Sequence, residues 1–165
     1  MWVLRQERLT LRSGQVGLIS DTHGLVRPEA LAVLKGSELI IHAGDIGKPD
    51  VLGALASIAP VVAIKGNNDR DSWASDLPDI LTVQVNGVEM CVIHNVNELA
   101  KDSIKGELRA VICGHSHKPG MTIREGVLFV NPGSAGPRRF RLPVSVARLK
   151  LRDQNVQAKI LELRP

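Results

Sequence analysis

The sequence predicts an α/β fold built on two sheets, and three observations predict it. Between residues 16 and 65, three short aliphatic runs alternate with two helical patterns, the rhythm of a parallel sheet covered by helices. Beyond residue 80 the apolar residues alternate singly instead, around dipeptides such as Asn86-Gly87 that favour hairpins. The 165 residues are 44% apolar and 23% charged, which suits one globular domain, 1–165, with a proper core.

The elements follow in order. Residues 1–15 read as an N-terminal extension and an added edge strand. "VGLIS" (16–20) is the first strand of the parallel set and runs into Asp21, Thr22 and His23. "RPEALAVLKG" reads as a helix, with Pro28 in its first turn and Gly36 past its end. "ELIIHAG" (38–44) is the next strand, ending at Asp45. "DVLGALASIAP" (50–60) is a second helix, with Asp50 as its expected cap and Pro60 as its stop. "VVAIK" then runs into Gly66, Asn67, Asn68 and Asp69. Residues 80–94 form a hairpin that ends at His94, and 95–109 holds one short helix. "AVIC" (110–113) is a buried strand ending in Gly114, His115, Ser116 and His117. A hairpin turning at Glu125-Gly126, the loop "NPGSAGP" and a closing hairpin over 144–163, turning at 153–155, complete the chain. The first half is expected to be parallel and the second mostly antiparallel.

Several function classes are disfavoured. No run of about 18 apolar residues exists to cross a membrane, and charges interrupt the N-terminus where a signal peptide would be apolar. Cys91 and Cys113 lie in apolar runs and read as reduced core residues, which suits the cytoplasm. The formal charge is +4, yet tyrosine is absent and Phe and Trp number two each, too few for a nucleic-acid stacking platform.

The chemistry gathers at strand ends, where open α/β sheets bind their ligands. Five runs end in Asp21-x-His23, Asp45, Asn67-Asn68-Asp69, His94 and His115-x-His117, and four of the five histidines are among them. Carboxylate, carboxamide and imidazole without thiolate suit Mn²⁺, Fe²⁺ or Zn²⁺ rather than Ca²⁺ or copper. Seven donors exceed one coordination sphere and suit two ions sharing a carboxylate. Such a pair, about 3.5–4 Å apart, lowers the pKa of a water held between the ions and clamps a phosphate in line with it.

"SDTHG", "HAGD", "KGNND" and "CGHSH", in this order, resemble the calcineurin-like metallophosphoesterase superfamily. The short chain and the "NPGS" after the last pair resemble its small YfcE-type phosphodiesterase branch, which shares its fold with the metal-poor retromer subunit of eukaryotes. The resemblance covers roughly residues 16–149 and implies a four-layer α/β/β/α sandwich of two mixed sheets flanked by helices. It assigns Asp21, His23, Asp45 and His117 to one ion and Asp45, Asn67, His94 and His115 to the other, with Asp45 bridging. It implies a cofactor of two divalent ions, manganese first and iron, zinc, nickel or cobalt as alternatives, and a small phosphodiester as substrate. The only catalytic group it implies is the water between the ions. Asn68 stands where many relatives carry a histidine that assists the leaving group, and is expected to touch substrate. His94 is followed by Asn95 where glycine is common.

Other residues have plainer readings. His42 is expected to be a hydrogen-bonded residue of the core or one that supports a ligand, Asp69 an anchor for its turn or a partner that orients a neighbouring ligand, and Arg138 and Arg139 mainly solvated. "NPGS" is either a strand-ending loop or a row of amides facing the site. A catalytically silent binding scaffold of the same fold and a nuclease are the competing functions, and a homo-oligomer is left open. No membrane partner is expected.

Overall fold

A computed structural model of the chain describes residues 8–104 and 106–165. β1 (Arg8–Leu9) is an edge strand pairing parallel with β5 (Ile80–Val85). The rest of the extension's expected strand falls partly on residues 1–7, outside the described residues. β2 (Gln15–Ile19), β3 (Leu39–His42) and β4 (Val61–Ala63) are parallel neighbours, linked through α1 (Pro28–Leu34) and α2 (Pro49–Ala56). Both helices start on proline, whose fixed φ suits a first turn and whose missing N–H is not needed there. Asp50 is therefore not the cap of α2. Lys48 occupies that position, and Asp50 sits in the first turn, where its charge still meets the helix dipole.

The second half is mostly antiparallel, as expected, but two pairings at its middle are parallel. β5 and β6 (Val88–Ile93) form the expected hairpin, with Asn86 at φ 51° and Gly87 at φ 78° in the turn. β7 (Leu108–Ile112), however, pairs parallel with both β6 and β9 (Val127–Asn131), and β8 (Gly120–Arg124) closes the edge. The near-continuous apolar run of β7 is what a strand buried on both faces requires. The closing hairpin, β10 (Ser145–Arg152) and β11 (Asn155–Glu162), turns on Asp153 and Gln154 and joins the first sheet, with Ala147 opposite Leu18. The result is a six-stranded sheet β1-β5-β6-β7-β9-β8 facing a five-stranded sheet β11-β10-β2-β3-β4.

Alternation places Val16, Leu18, Leu39 and Ile41 toward the other sheet, where they meet Val83, Met90, Val92 and Ile112. Ile19 and Ile40 point the opposite way and pack under Leu34, Val51 and Leu55 of the two helices. On the outer face of the second sheet, Val96, Leu99 and Ile104 cover Ile93, Val111 and Phe129. That cover consists of two 3-10 turns, Val96–Glu98 and Lys101–Ser103, in place of the one helix expected at 95–109. Four layers result, and the carboxyl ends of β2, β3, β4, β6 and β7 open on one side. Among the described residues no helix is long and apolar enough to cross a membrane.

Candidate metal centre

Backbone hydrogen bonds zip the loops at these strand ends together. Asp21 N–H donates to Gly44 O (3.0 Å), His23 N–H to Asp45 O (3.0 Å) and Gly114 N–H to His94 O (2.9 Å). Asp69, buried as expected of an anchor, accepts from Ile46 N–H, Gly47 N–H and Gly66 N–H, and so ties the loop after β3 to the loop after β4. Five of the seven candidate ligands adopt left-handed backbone: Asp21 (φ 54°), His23 (46°), Asp45 (54°), His115 (71°) and His117 (61°). Non-glycine residues seldom do so outside turns, and such strain gathers at functional sites.

The side chains converge. His117 Nε2 lies 3.3 Å from Asp21 Oδ1 and 3.4 Å from His23 Nε2. His94 Nε2 lies 3.4 Å from Asp45 Oδ2 and 3.8 Å from Asp21 Oδ1, and His23 Nε2 is 3.9 Å from each carboxylate. Asp21, His23 and His117 form one group with donor atoms within 4.8 Å, and Asp21, Asp45 and His94 form another. Each carboxylate thus stands between imidazoles of both groups. His115 is exposed, but its ring meets His94 edge-on at 5.2 Å and its N–H donates to Asp21 Oδ2 (3.1 Å). Asn67 is exposed at the rim, its carbonyl accepting from Arg70 Nε (3.0 Å). Asn68 donates twice to Asp45, through its N–H to Oδ1 (3.0 Å) and through Nδ2 to Oδ2 (2.9 Å).

Hydrogen bonding fixes the protons. His94 Nδ1 faces the Ala43 carbonyl at 2.7 Å, so that nitrogen carries the hydrogen and Nε2 presents a lone pair to the carboxylates when the ring is neutral. Burial pushes the His94 pKa down, but Asp45 and the charge of Asp21 outweigh it and raise it. Burial pushes Asp45 up, yet contacts from His94 and Asn68 hold its carboxyl below the usual range. Burial, the largest effect, lowers the His117 pKa against the opposing charge of Asp21, with a smaller push in the same direction from the exposed Arg139. Arg138 donates instead to the Leu142 carbonyl (3.2 Å).

His42 is fully buried and its roles are reversed. Its Nδ1 accepts from Gly44 N–H (3.1 Å), so Nε2–H donates to Thr22 Oγ1 (3.0 Å), which passes a bond on to Ile46 O (2.8 Å). A second ring proton would point at an N–H, and burial, with the neighbouring His94, lowers the pKa to about 3. Unfolded chains therefore take up a proton near pH 6.5 that the fold refuses. Stability from His42 is complete above that value and should fall by about 1.4 kcal/mol per pH unit toward pH 4. Comparing chemical denaturation of the wild type with His42→Gln across this window should show a flatter acid limb in the variant. His117 acts in the same direction and His94 in the opposite one, so the difference between the proteins is what reports His42.

Close packing also explains Gly66. A Cβ there would lie 2.2 Å from Asp45 Oδ1 and 2.3 Å from its N, so space rather than an unusual φ demands glycine. Because part of the obstruction is backbone, Gly66→Ala should cost about 1–3 kcal/mol of stability and displace Asp45. Thermal melts with and without manganese should show a lower melting temperature and a smaller metal-induced rise.

Some supports escape a reading of the sequence. Ser20 Oγ–H holds Asp21 Oδ2 (2.7 Å), and Asn131 Nδ2 donates to Gly114 O (3.0 Å) and Ser116 Oγ (3.1 Å). The only hint of either was its place inside "SDTHG" or "NPGS". The "NPGS" loop braces the main chain behind the centre, with Ser134 Oγ–H donating to Asp21 O (3.0 Å) and Ala135 N–H to Ser20 O (3.0 Å).

The model of the calcineurin-like phosphoesterase superfamily domain matches residues 15–154, and the chain belongs to that family. It is 31% identical over 158 residues to a probable metallophosphoesterase of Methanothermobacter thermautotrophicus, covering 88% of this chain and 91% of that protein. Its fold is similar to that of an archaeal phosphodiesterase (TM-score 0.72, 24% identity, 89% and 99% of the two chains). Its fold is also similar to that of vacuolar protein sorting 29 of Cryptosporidium parvum (TM-score 0.70, 19% identity, 91% and 97%). Enzyme and sorting protein share the fold, so the site must decide the function.

Proposed function

We propose that this chain is a metal-dependent phosphodiesterase for small substrates, holding two divalent ions through Asp21, His23, Asp45, Asn67, His94, His115 and His117. One observation carries the reading. Asp21 Oδ1 and His94 Nε2 are buried without a normal hydrogen bond to any described residue, and they converge to 3.8 Å. Bare buried polar atoms are costly, and cations bound between them would remove that cost. The donor set fits: hard oxygens and borderline nitrogens without thiolate suit manganese, our proposed ion, and equally iron or zinc.

Ions held there would supply Lewis acidity, polarising a phosphoryl group and activating water. The chain's own residues prepare the place. The Ala43 carbonyl keeps the proton on His94 Nδ1, Asn68 fixes both oxygens of Asp45, and Ser20 orients Asp21. Asn68 also stands at the exposed rim, where its carboxamide can meet a phosphoryl oxygen. Both cysteines are free and buried, and burial pushes the Cys113 thiol up to about 11, which suits the cytoplasm.

Elemental analysis, with an aryl phosphodiester assayed under each divalent ion in turn, tests the reading. Two ions per chain and metal-dependent turnover are expected. Stoichiometric metal without turnover on any diester or monoester would move the chain to the scaffold class. Less than one ion per chain at saturating manganese would end the metal reading.

A further inference from the structure

We propose that a groove beside β8 is a subsite for a second anionic group on the substrate, an inference that rests on the phosphoesterase reading. The groove, of about 330 Å³, begins at Ser116, between the two histidines of the "GHSH" loop, and runs to Arg124 and Phe129. Val96 and Phe129 provide apolar surface, while Lys118, Arg124 and Asn131 supply polar groups. The size is that of a small pocket able to hold a ring or short spacer.

Charge sets the ligand class. The groove is lined by two cationic side chains and no carboxylate. The Arg124 guanidinium lies 5.0 Å from the Phe129 ring centroid, a contact that positions the group without neutralising it. Among the described residues, neither Lys118 nor Arg124 has a carboxylate partner in a salt bridge. Lys118 N–H donates to Ser116 Oγ (3.2 Å), and Asn131 joins Ser116 to Gly114, so the near end of the groove is tied to the loop carrying His115 and His117. The groove therefore starts beside the loop that carries His115 and His117, and its far end lies among uncompensated cations. Such a field concentrates anions, and arginine in particular recognises planar or tetrahedral oxyanions. The substrate class is a phosphodiester whose esterified alcohol carries a further phosphate, sulfonate or carboxylate on an apolar or aromatic spacer.

The test compares two methyl aryl phosphodiesters, one with an uncharged ring and one with a para-sulfonate, on the manganese-loaded protein. Arg124→Met and Lys118→Met should each lower the ratio of kcat/KM, sulfonated over uncharged, by about tenfold, the loss of one strong contact, and mainly through KM. An unchanged ratio would overturn the subsite. A second measurement needs no turnover. Phenyl phosphate, titrated in EDTA and followed by amide NMR shifts, should move Lys118, Thr122 and Arg124, with affinity about tenfold weaker in Arg124→Met. Absence of those shifts, or equal affinity in the variant, would overturn the proposal. If the wild type hydrolyses neither diester, the phosphoesterase reading fails, and the titration still decides the groove.

Discussion

Asp45→Asn should cut hydrolysis by roughly 10³-fold, since Lewis-acid help is worth several kcal/mol and each 1.36 kcal/mol is tenfold. The substitution is nearly isosteric, so volume is not the cause. Both Asp45 oxygens accept from Asn68, one from the backbone N–H and one from Nδ2. An asparagine must turn its own NH₂ toward one of those donors, and two donors facing each other bond to nothing. The variant also removes the negative charge 3.4 Å from His94 Nε2 and 3.9 Å from His23 Nε2, weakening the attraction for cations on both sides. Metal content should therefore fall below two ions per chain while circular dichroism stays native. Asp21→Asn makes a useful partner experiment, because Asp21 belongs to both donor groups. The resemblance implies loss of one ion only; the geometry favours weakening at both. Near-normal turnover of Asp45→Asn at saturating manganese would show that the carboxylate is not shared.

The residues that meet at the centre were legible because each aliphatic run stops abruptly at a polar tip, and parallel strands bring such tips to one end. Sheet membership was less legible. Nothing local in "VSVARLKL" says that Ala147 lies opposite Leu18 and so completes the first sheet. Such pairings are decided by which apolar faces remain uncovered after the other strands have met. The left-handed backbone at Asp21 and His115 was hidden for a related reason. Aspartate and histidine tolerate that conformation but do not announce it, whereas the glycine of Asn86-Gly87 does. Gly66 was noticed as a glycine, yet its reason, an Asp45 oxygen where a Cβ would stand, exists only in three dimensions. The bonds from Asn68 to Asp45 likewise join two loops that lie 23 residues apart in the chain.

Those bonds lead to the second large effect, a steep dependence of turnover on the leaving group. An alkoxide leaving phosphorus needs a proton, and a positioned general acid typically contributes roughly 10²–10⁴-fold. Histidine could supply one from the position of Asn68. A carboxamide has no proton acidic enough, and here its Nδ2 is already directed at Asp45 Oδ2. The candidate ligand histidines are unsuited to the role, since an imidazole that ligates a cation must be neutral at that nitrogen. An aryl oxide is stable enough to depart unaided, so activated aryl esters should turn over faster than alkyl esters by a factor of that order. Asn68→Ala would not change the slope, because no acid is removed. It should instead weaken metal binding or activity by about 10–100-fold, as loss of a partner that orients a ligand does. Asn68→His should speed alkyl esters selectively if the ring reaches the leaving oxygen, while sacrificing the hold on Asp45. A series of phosphodiesters graded in leaving-group pKa measures the slope directly. A flat series, with chemistry shown to be rate-limiting, would identify a different proton donor. Exposed His115, edge-on to His94, would then be the first residue to replace, and it would lose its place among the proposed ligands.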